Sequence, residues 1–214
     1  MQLRLFLLAT LASLLSLTAI AQSDFEGTIS YSIEYLKVPS EVEGMEGMLP
    51  SDMTMQFKDA RMRLEQQVMG GSQVVVANSA TNESFILMDM MGQKIVIPIP
   101  AEEVAKQREN QPKPKVTELE GKRTIAGYKC SKAEVTQADG SKVEIWYTKA
   151  LGKIRHNEYK DLDGFPLEYT ATAGGMTTRI KATKVEKEEV AGYYFEVPEG
   201  YTEMSQEELM RMGQ

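Results

Sequence analysis

The sequence is poor in the residues that carry chemistry. Its 214 residues include one cysteine, one histidine and one tryptophan. A lone cysteine, Cys130, cannot close an internal disulfide, so stability must come from packing. Nothing resembles a serine triad, a zinc cluster or a phosphate loop, and no residue set points to a cofactor. Positive charge is also short, with 24 Lys and Arg against 31 Asp and Glu and a net charge of −7. That balance argues against nucleic acid or anionic headgroups as partners, because both require a basic face. No repeat of fixed period is present. After residue 21 no apolar run approaches the roughly 18 residues that a transmembrane helix needs.

What the chain does have begins at its start. Arg4 precedes an apolar run from Leu5 to Leu17, followed by Ala19-Ile20-Ala21. A charged start, a short apolar core and a small-x-small end predict a signal peptide over 1–21, cleaved near Ala21. The expectation is an exported chain, periplasmic or extracellular, whose residues 22–214 form a single β-rich domain. No cysteine lies near the cleavage point, so no lipid anchor is expected there.

Period two dominates the remainder. Phe25, Ile29, Tyr31, Ile33 and Tyr35 fall on odd positions with polar residues between them, which predicts a strand with one buried face. Gly27 interrupts that row, as a bulge or a close backbone approach would require. Residues 38–52 lose all period and predict a long loop. Strands follow over Met53–Phe57, Met62–Val68, Val74–Val76, Ser84–Met90 and Lys94–Ile99, with tight turns near Asp59, Gly70-Gly71 and Met91-Gly92. The last two of these are apolar on both faces, so each face needs a cover.

Pro100–Asn110 reads as a short helix with Glu102 and Glu103 in its first turn. Next come Val116–Leu119 and the central pair Lys122–Ala133 and Glu144–Thr148, joined through Asp139-Gly140, a hairpin signal. The apolar phase switches between Cys130 and Ala133, which predicts a bulge near Ser131. Lys149–Asp163 reads as a polar segment that exposes His156. Strands are expected at Phe165–Ala171, Met176–Val185 and Tyr193–Val197. Ser205 and Glu208 form a capping box for a final helix, with Met204 and Leu209 as its hydrophobic staple. The sum is mainly β: about ten short strands and two or three short helices.

Ile125-Ala-Gly-Tyr-Lys-Cys-Ser-Lys-Ala133 with Glu144-Ile-Trp-Tyr-Thr148 resembles an exported bacterial family, the domain-of-unknown-function family numbered 4412. Gly164-x-Pro166-Leu167 and Phe195-x-Val-Pro198-x-Gly-Tyr201 extend the resemblance, which supplies no activity and no site residues. The architecture is similar to periplasmic lipoprotein carriers of the LolA kind. That similarity implies a curved antiparallel sheet forming an open half-barrel, whose concave face holds acyl chains.

The candidate site follows from this geometry. Tyr31, Phe57, Leu64, Met88, Phe165 and Tyr169 would line a greasy hollow for a lipid or lipoprotein acyl chain, each buried methylene contributing about 0.8 kcal/mol. On this reading the protein is a binding or carrier module and not an enzyme. The alternative is a structural or protein-interaction component of the cell envelope, contacting its partner through 38–52 or the C-terminal helix. A third reading is Cu(I) handling by the thioether pairs Met45/Met48 and Met53/Met55; elsewhere methionine serves as an adaptable core filler. Cys130 lies in an alternating strand, where a free thiol behaves as a small buried hydrophobe. Asp161-x-Asp163-Gly164 lacks the flanking ligands of a calcium loop, since Tyr159 and Thr170 stand where they belong.

Overall fold

The computed structural model describes residues 20–21, 25–110, 114–137, 140–152, 154–156, 159 and 162–212. The predicted signal peptide therefore lies outside the described residues except for Ile20 and Ala21. So do Ala138 and Asp139 of the predicted hairpin turn.

One curved, open sheet of twelve strands organises the chain. In chain order the strands are β1 (Ile20–Ala21), β2 (Gly27–Lys37), β3 (Asp52–Lys58), β4 (Arg61–Val68), β5 (Gly71–Asn78), β6 (Ser84–Met90) and β7 (Gln93–Ile99). Helix α1 (Ala101–Asn110) precedes β8 (Lys115–Ile125), β9 (Tyr128–Thr136), β10 (Lys142–Thr148), β11 (Ile154–Arg155), β12 (Phe165–Ala173) and β13 (Met176–Lys187). The chain ends with β14 (Thr202–Glu203) and helix α2 (Gln206–Met212). Across the large sheet the order is β14-β7-β6-β5-β4-β3-β2-β13-β12-β10-β9-β8. Among the described residues all of its pairings are antiparallel except β14 on β7. This is the open half-barrel expected from the resemblance to the lipoprotein carriers. It has twelve strands where about ten were expected, and the two-residue β14 is among the additions.

Alternation sets the curvature side. Ile29, Tyr31, Met53, Met55, Phe57, Met62, Leu64, Ile86 and Ile97 all face one cluster on the concave side. The two-sided strands behave as expected. Val74, Val76, Leu87 and Val96 form a second cluster on the other face with Val190 and Phe195, from the segment that runs back from β13 to β14. Arg61 lies over the Phe195 ring at 4.9 Å, which fastens that strap to the sheet.

Gly27 is a close approach. Its φ is +153°, and a Cβ there would sit 2.0 Å from the Glu186 carbonyl oxygen on β13. Gly27→Ala is expected to destabilise the fold by about 1–3 kcal/mol, since β2 or β13 must shift. Thermal unfolding of the variant against wild type measures it.

Three local expectations change. The irregularity near Ser131 is present, but it belongs to the facing strand: β8 carries Glu120 and Gly121 extra, between Leu119 opposite Lys132 and Lys122 opposite Ser131. Residues 192–195 form a 3₁₀ turn and not a strand, with the Tyr193 and Tyr194 rings tilted against each other, centroids 4.5 Å apart. The period-free loop contains two 3₁₀ turns, Ser40–Val42 and Glu46–Met48, with Val42 buried. The capping box forms as expected, Glu208 N–H donating to Ser205 Oγ at 3.2 Å and Ser205 N–H to Glu208 Oε2 at 2.8 Å.

Candidate functional site on the concave face

The six expected lining residues converge. Tyr31, Phe57, Leu64, Met88, Phe165 and Tyr169 belong to one apolar cluster, each at most 3% exposed. They come from β2, β3, β4, β6 and β12, brought together by sheet curvature. Phe57 meets Phe165 edge-on at 5.5 Å and Phe25 at 6.0 Å. Tyr31 keeps its hydroxyl satisfied by donating to the Pro166 carbonyl at 3.1 Å. These side chains do not face an empty hollow. They pack on one another and on a segment between β10 and β12.

That segment overturns a sequence expectation. Leu151, Ile154, Tyr159 and Leu162 are all buried in the concave cluster. His156, expected at the surface, is 1% exposed. Its ring stacks on Tyr159 at 4.9 Å and meets Tyr169 at 5.3 Å and Phe165 at 6.2 Å. Neither ring nitrogen has a hydrogen-bond partner among the described residues. Burial alone drives its pKa down to about 3, so the imidazole is neutral and offers one donor and one acceptor. It is a point in the apolar filling that calls for a polar group.

A second strand enters here. Ile20 and Ala21 pair antiparallel with β11, Ile20 opposite Arg155 and Ala21 opposite Ile154. A short stretch of backbone thus lies along the edge of the filling segment, one residue before His156.

Cys130 is buried, its thiol donating to the Tyr128 carbonyl at 3.5 Å. Burial pushes the thiol pKa up, away from thiolate chemistry. The four candidate copper ligands are split: Met45 and Met48 stand exposed on the loop, while Met53 and Met55 are in the core. Among the described residues no three His, Cys, Asp or Glu side chains gather as a metal site. A groove of about 590 Å³ elsewhere on the sheet is lined by Glu34, Arg123, Trp146, Glu168, Arg179 and Lys181, among others. Its charges are already engaged: Arg123 with Glu168 at 2.6 Å and with the Trp146 ring at 4.1 Å, and Arg179 with Glu34 at 2.9 Å.

Sequence reasoning missed the filling segment because Lys153, Arg155, Asn157, Glu158, Lys160, Asp161 and Asp163 outnumber its apolar residues, although Leu151, Ile154, Tyr159 and Leu162 recur at i, i+3, i+8 and i+11. The available signal was four apolar residues in a stretch otherwise rich in charge.

Comparison with known proteins places the fold. No curated protein matches. Among solved structures, PNGF-II is similar at 16% identity and a TM-score of 0.53, with 88% of this chain aligning to 32% of that one. The chain thus spans about a third of the length of PNGF-II, and the likeness concerns the fold alone. An uncharacterised conserved protein from Thermus thermophilus aligns at 10% identity and a TM-score of 0.48, over 85% of this chain and 91% of that one. MucB in the Pseudomonas aeruginosa MucA/MucB complex aligns at 12% identity and a TM-score of 0.45, over 83% of this chain and 57% of the matched chain. A family model matches residues 42–160, from the loop after β2 into the filling segment. The chain belongs to the family described as domain of unknown function DUF4412.

Proposed function

We propose that the protein is an exported, non-catalytic binding module whose concave face holds a hydrophobic ligand, a lipidic chain first among them. The observation that carries this reading is the way the face is closed. The sheet does not close on itself. Its apolar interior is stopped by an irregular segment through Leu151, Ile154, His156, Tyr159 and Leu162. An apolar ligand that takes the place of those side chains meets the same aromatic and methionine lining. A dozen buried methylenes would contribute on the order of 10 kcal/mol before ordering costs. The one thiol, Cys130, is buried with a raised pKa, which favours holding over thiolate chemistry there.

Organic extraction of the protein purified from the cell envelope, followed by mass spectrometry, tests this. The expected result is a co-purifying acyl-chain species, and uptake of an apolar fluorescent dye after extraction. No lipid and no dye uptake would end the lipid reading.

A second reading, contact with another envelope protein, is favoured by one surface. Tyr193 is 64% exposed and paired with Tyr194 on the convex strap, and Val197 beside them is also exposed. Aromatic residues of this kind are enriched at interfaces. Crosslinking in intact cells through position 193 would capture the partner, and an adduct-free monomer would remove this reading.

A further inference from the structure

We infer that one rim of the sheet, where β2 meets β3, β4 meets β5 and β6 meets β7, docks a basic amphipathic helix of another exported protein. This rim is a different surface from the concave face, and the hydrophobic-ligand reading stands or falls without it.

In a run of antiparallel strands, alternate connections lie at the same end. At one end of β2 to β7 the chain turns through residues 59–60 and 79–83, which hold no apolar side chain larger than alanine. At the other end, residues 38–51, 69–70 and 91–92 expose Met45, Met48, Met69 and Met91, and Leu36 is exposed near the end of β2. Met91 is the telling one. It is 91% exposed and its φ is +52°, a turn position that suits Asn or Gly, so neither core packing nor the turn calls for methionine. Its N–H donates to the Gly70 carbonyl at 3.0 Å, which joins the two hairpin tips. Unbranched thioether side chains adapt to apolar surfaces of many shapes and are over-used at binding surfaces.

Charge sets the sign of the partner. The three connections carry Glu41, Glu43 and Glu46 and no Lys, Arg or His. All three glutamates are exposed and enter no ion pair among the described residues. At the strand ends beneath them, Lys37 and Lys94 are matched by Asp52 and Asp89, so the rim stays acidic. It would repel an anionic membrane surface and attract a basic segment. Spacing sets the partner's conformation. Leu36 in β2, Met69 just past β4 and Met91 just past β6 are two strands apart in turn, about 10 Å at the usual strand separation. An extended segment covers about 10 Å in three residues, and side chains three apart point to opposite faces. A helix covers about 10.5 Å in seven residues, and residues i and i+7 share a face. A helix with an apolar residue in each heptad therefore meets every tip, and Lys or Arg between them meets the glutamates.

The test uses the protein purified from the cell envelope and labelled peptides of about 18 residues, five helical turns. The first is built of leucine and lysine with leucine at helical spacing. The second has the same composition shuffled so that no face is apolar, and the third has glutamate in place of lysine. Vesicles of phosphatidylcholine and of phosphatidylglycerol are further probes. By fluorescence anisotropy the first peptide is expected to bind about tenfold more tightly than either of the others, and more weakly as salt is raised. The variant Met45→Ser/Met69→Ser/Met91→Ser changes exposed positions only, so its Tm should hold while its affinity for that peptide falls about tenfold. Glu41→Gln/Glu43→Gln/Glu46→Gln should weaken binding and flatten its salt dependence. Uptake of apolar dye by the concave face should be the same in both variants. Equal binding of the lysine and glutamate peptides, or an unchanged affinity in the methionine variant, would overturn the inference. So would sedimentation with either vesicle that the methionine variant loses, because the tips would then enter a membrane.

Discussion

Truncating Phe57 to alanine is expected to lower the free energy of unfolding by about 3–5 kcal/mol. The ring is fully buried at the centre of the sheet, edge-on to Phe25 and Phe165. It lies on β3, with β2 on one side and β4 on the other, so its removal leaves a cavity that neighbouring backbone cannot collapse to fill. The magnitude separates two states of the concave face. If the face were an open hollow, Phe57 would border solvent and truncation would cost about 1 kcal/mol or less, within the range of surface changes. If it is filled, as the shared cluster with Leu151, Ile154 and Tyr159 indicates, the full core penalty applies. Urea denaturation at neutral pH reads the difference, with Leu36→Ala as the control. Leu36 is 44% exposed at the end of β2 and should change stability by no more than about 0.5 kcal/mol.

The same packing explains which parts of the molecule were legible in the sequence. Inward-facing residues were, because alternation is local: Ile29 and Tyr31 reach the core for the reason that Thr28 and Ser30 do not. Gly27 was legible as an interruption, and the approach of the Glu186 carbonyl is its cause. Position along one strand is a local property, whereas position across strands is not. The bulge beside Ser131 shows the limit, since the phase switch in β9 is balanced by two extra residues in β8. The six residues expected to line the hollow were recognisable as neighbours on one face, and they share one buried cluster. That the face would be filled was not, because the filling comes from a segment whose few apolar residues are separated by charged and polar ones. His156 is the extreme case. A histidine among Lys, Arg, Asn and Glu reads as a surface residue, and only the aromatic cage formed by β12 and Tyr159 draws it inward.

Lowering the pH from about 6.5 to about 3.5 is expected to remove about 4 kcal/mol of stability through His156 alone. The sign follows from where the proton binds. The unfolded chain takes up a proton near pH 6.5, while in the folded protein burial holds the imidazole neutral down to about 3. Between those values the unfolded state binds more protons, so stability is full above about 6.5 and falls as the pH drops. The ring's neighbours, Tyr159, Tyr169 and Phe165, carry no charge that would offset this. Other groups titrate in the same direction, including Glu144, which a hydrogen bond from Lys132 holds below the usual carboxylate range. The variant His156→Phe separates them, since it keeps an aromatic ring in the cage and removes only the titrating group. The variant should lose about 4 kcal/mol less than wild type across that interval. At neutral pH it should be more stable by about 1–3 kcal/mol, because two buried nitrogens without a partner among the described residues are gone. Urea denaturation of both proteins at several pH values gives the two curves. Parallel curves would mean that His156 is hydrated or hydrogen-bonded in solution, and that the concave face is wetter than its packing implies. Diverging curves, with the variant the flatter of the two, would mean that the imidazole is dry and uncharged inside its aromatic cage.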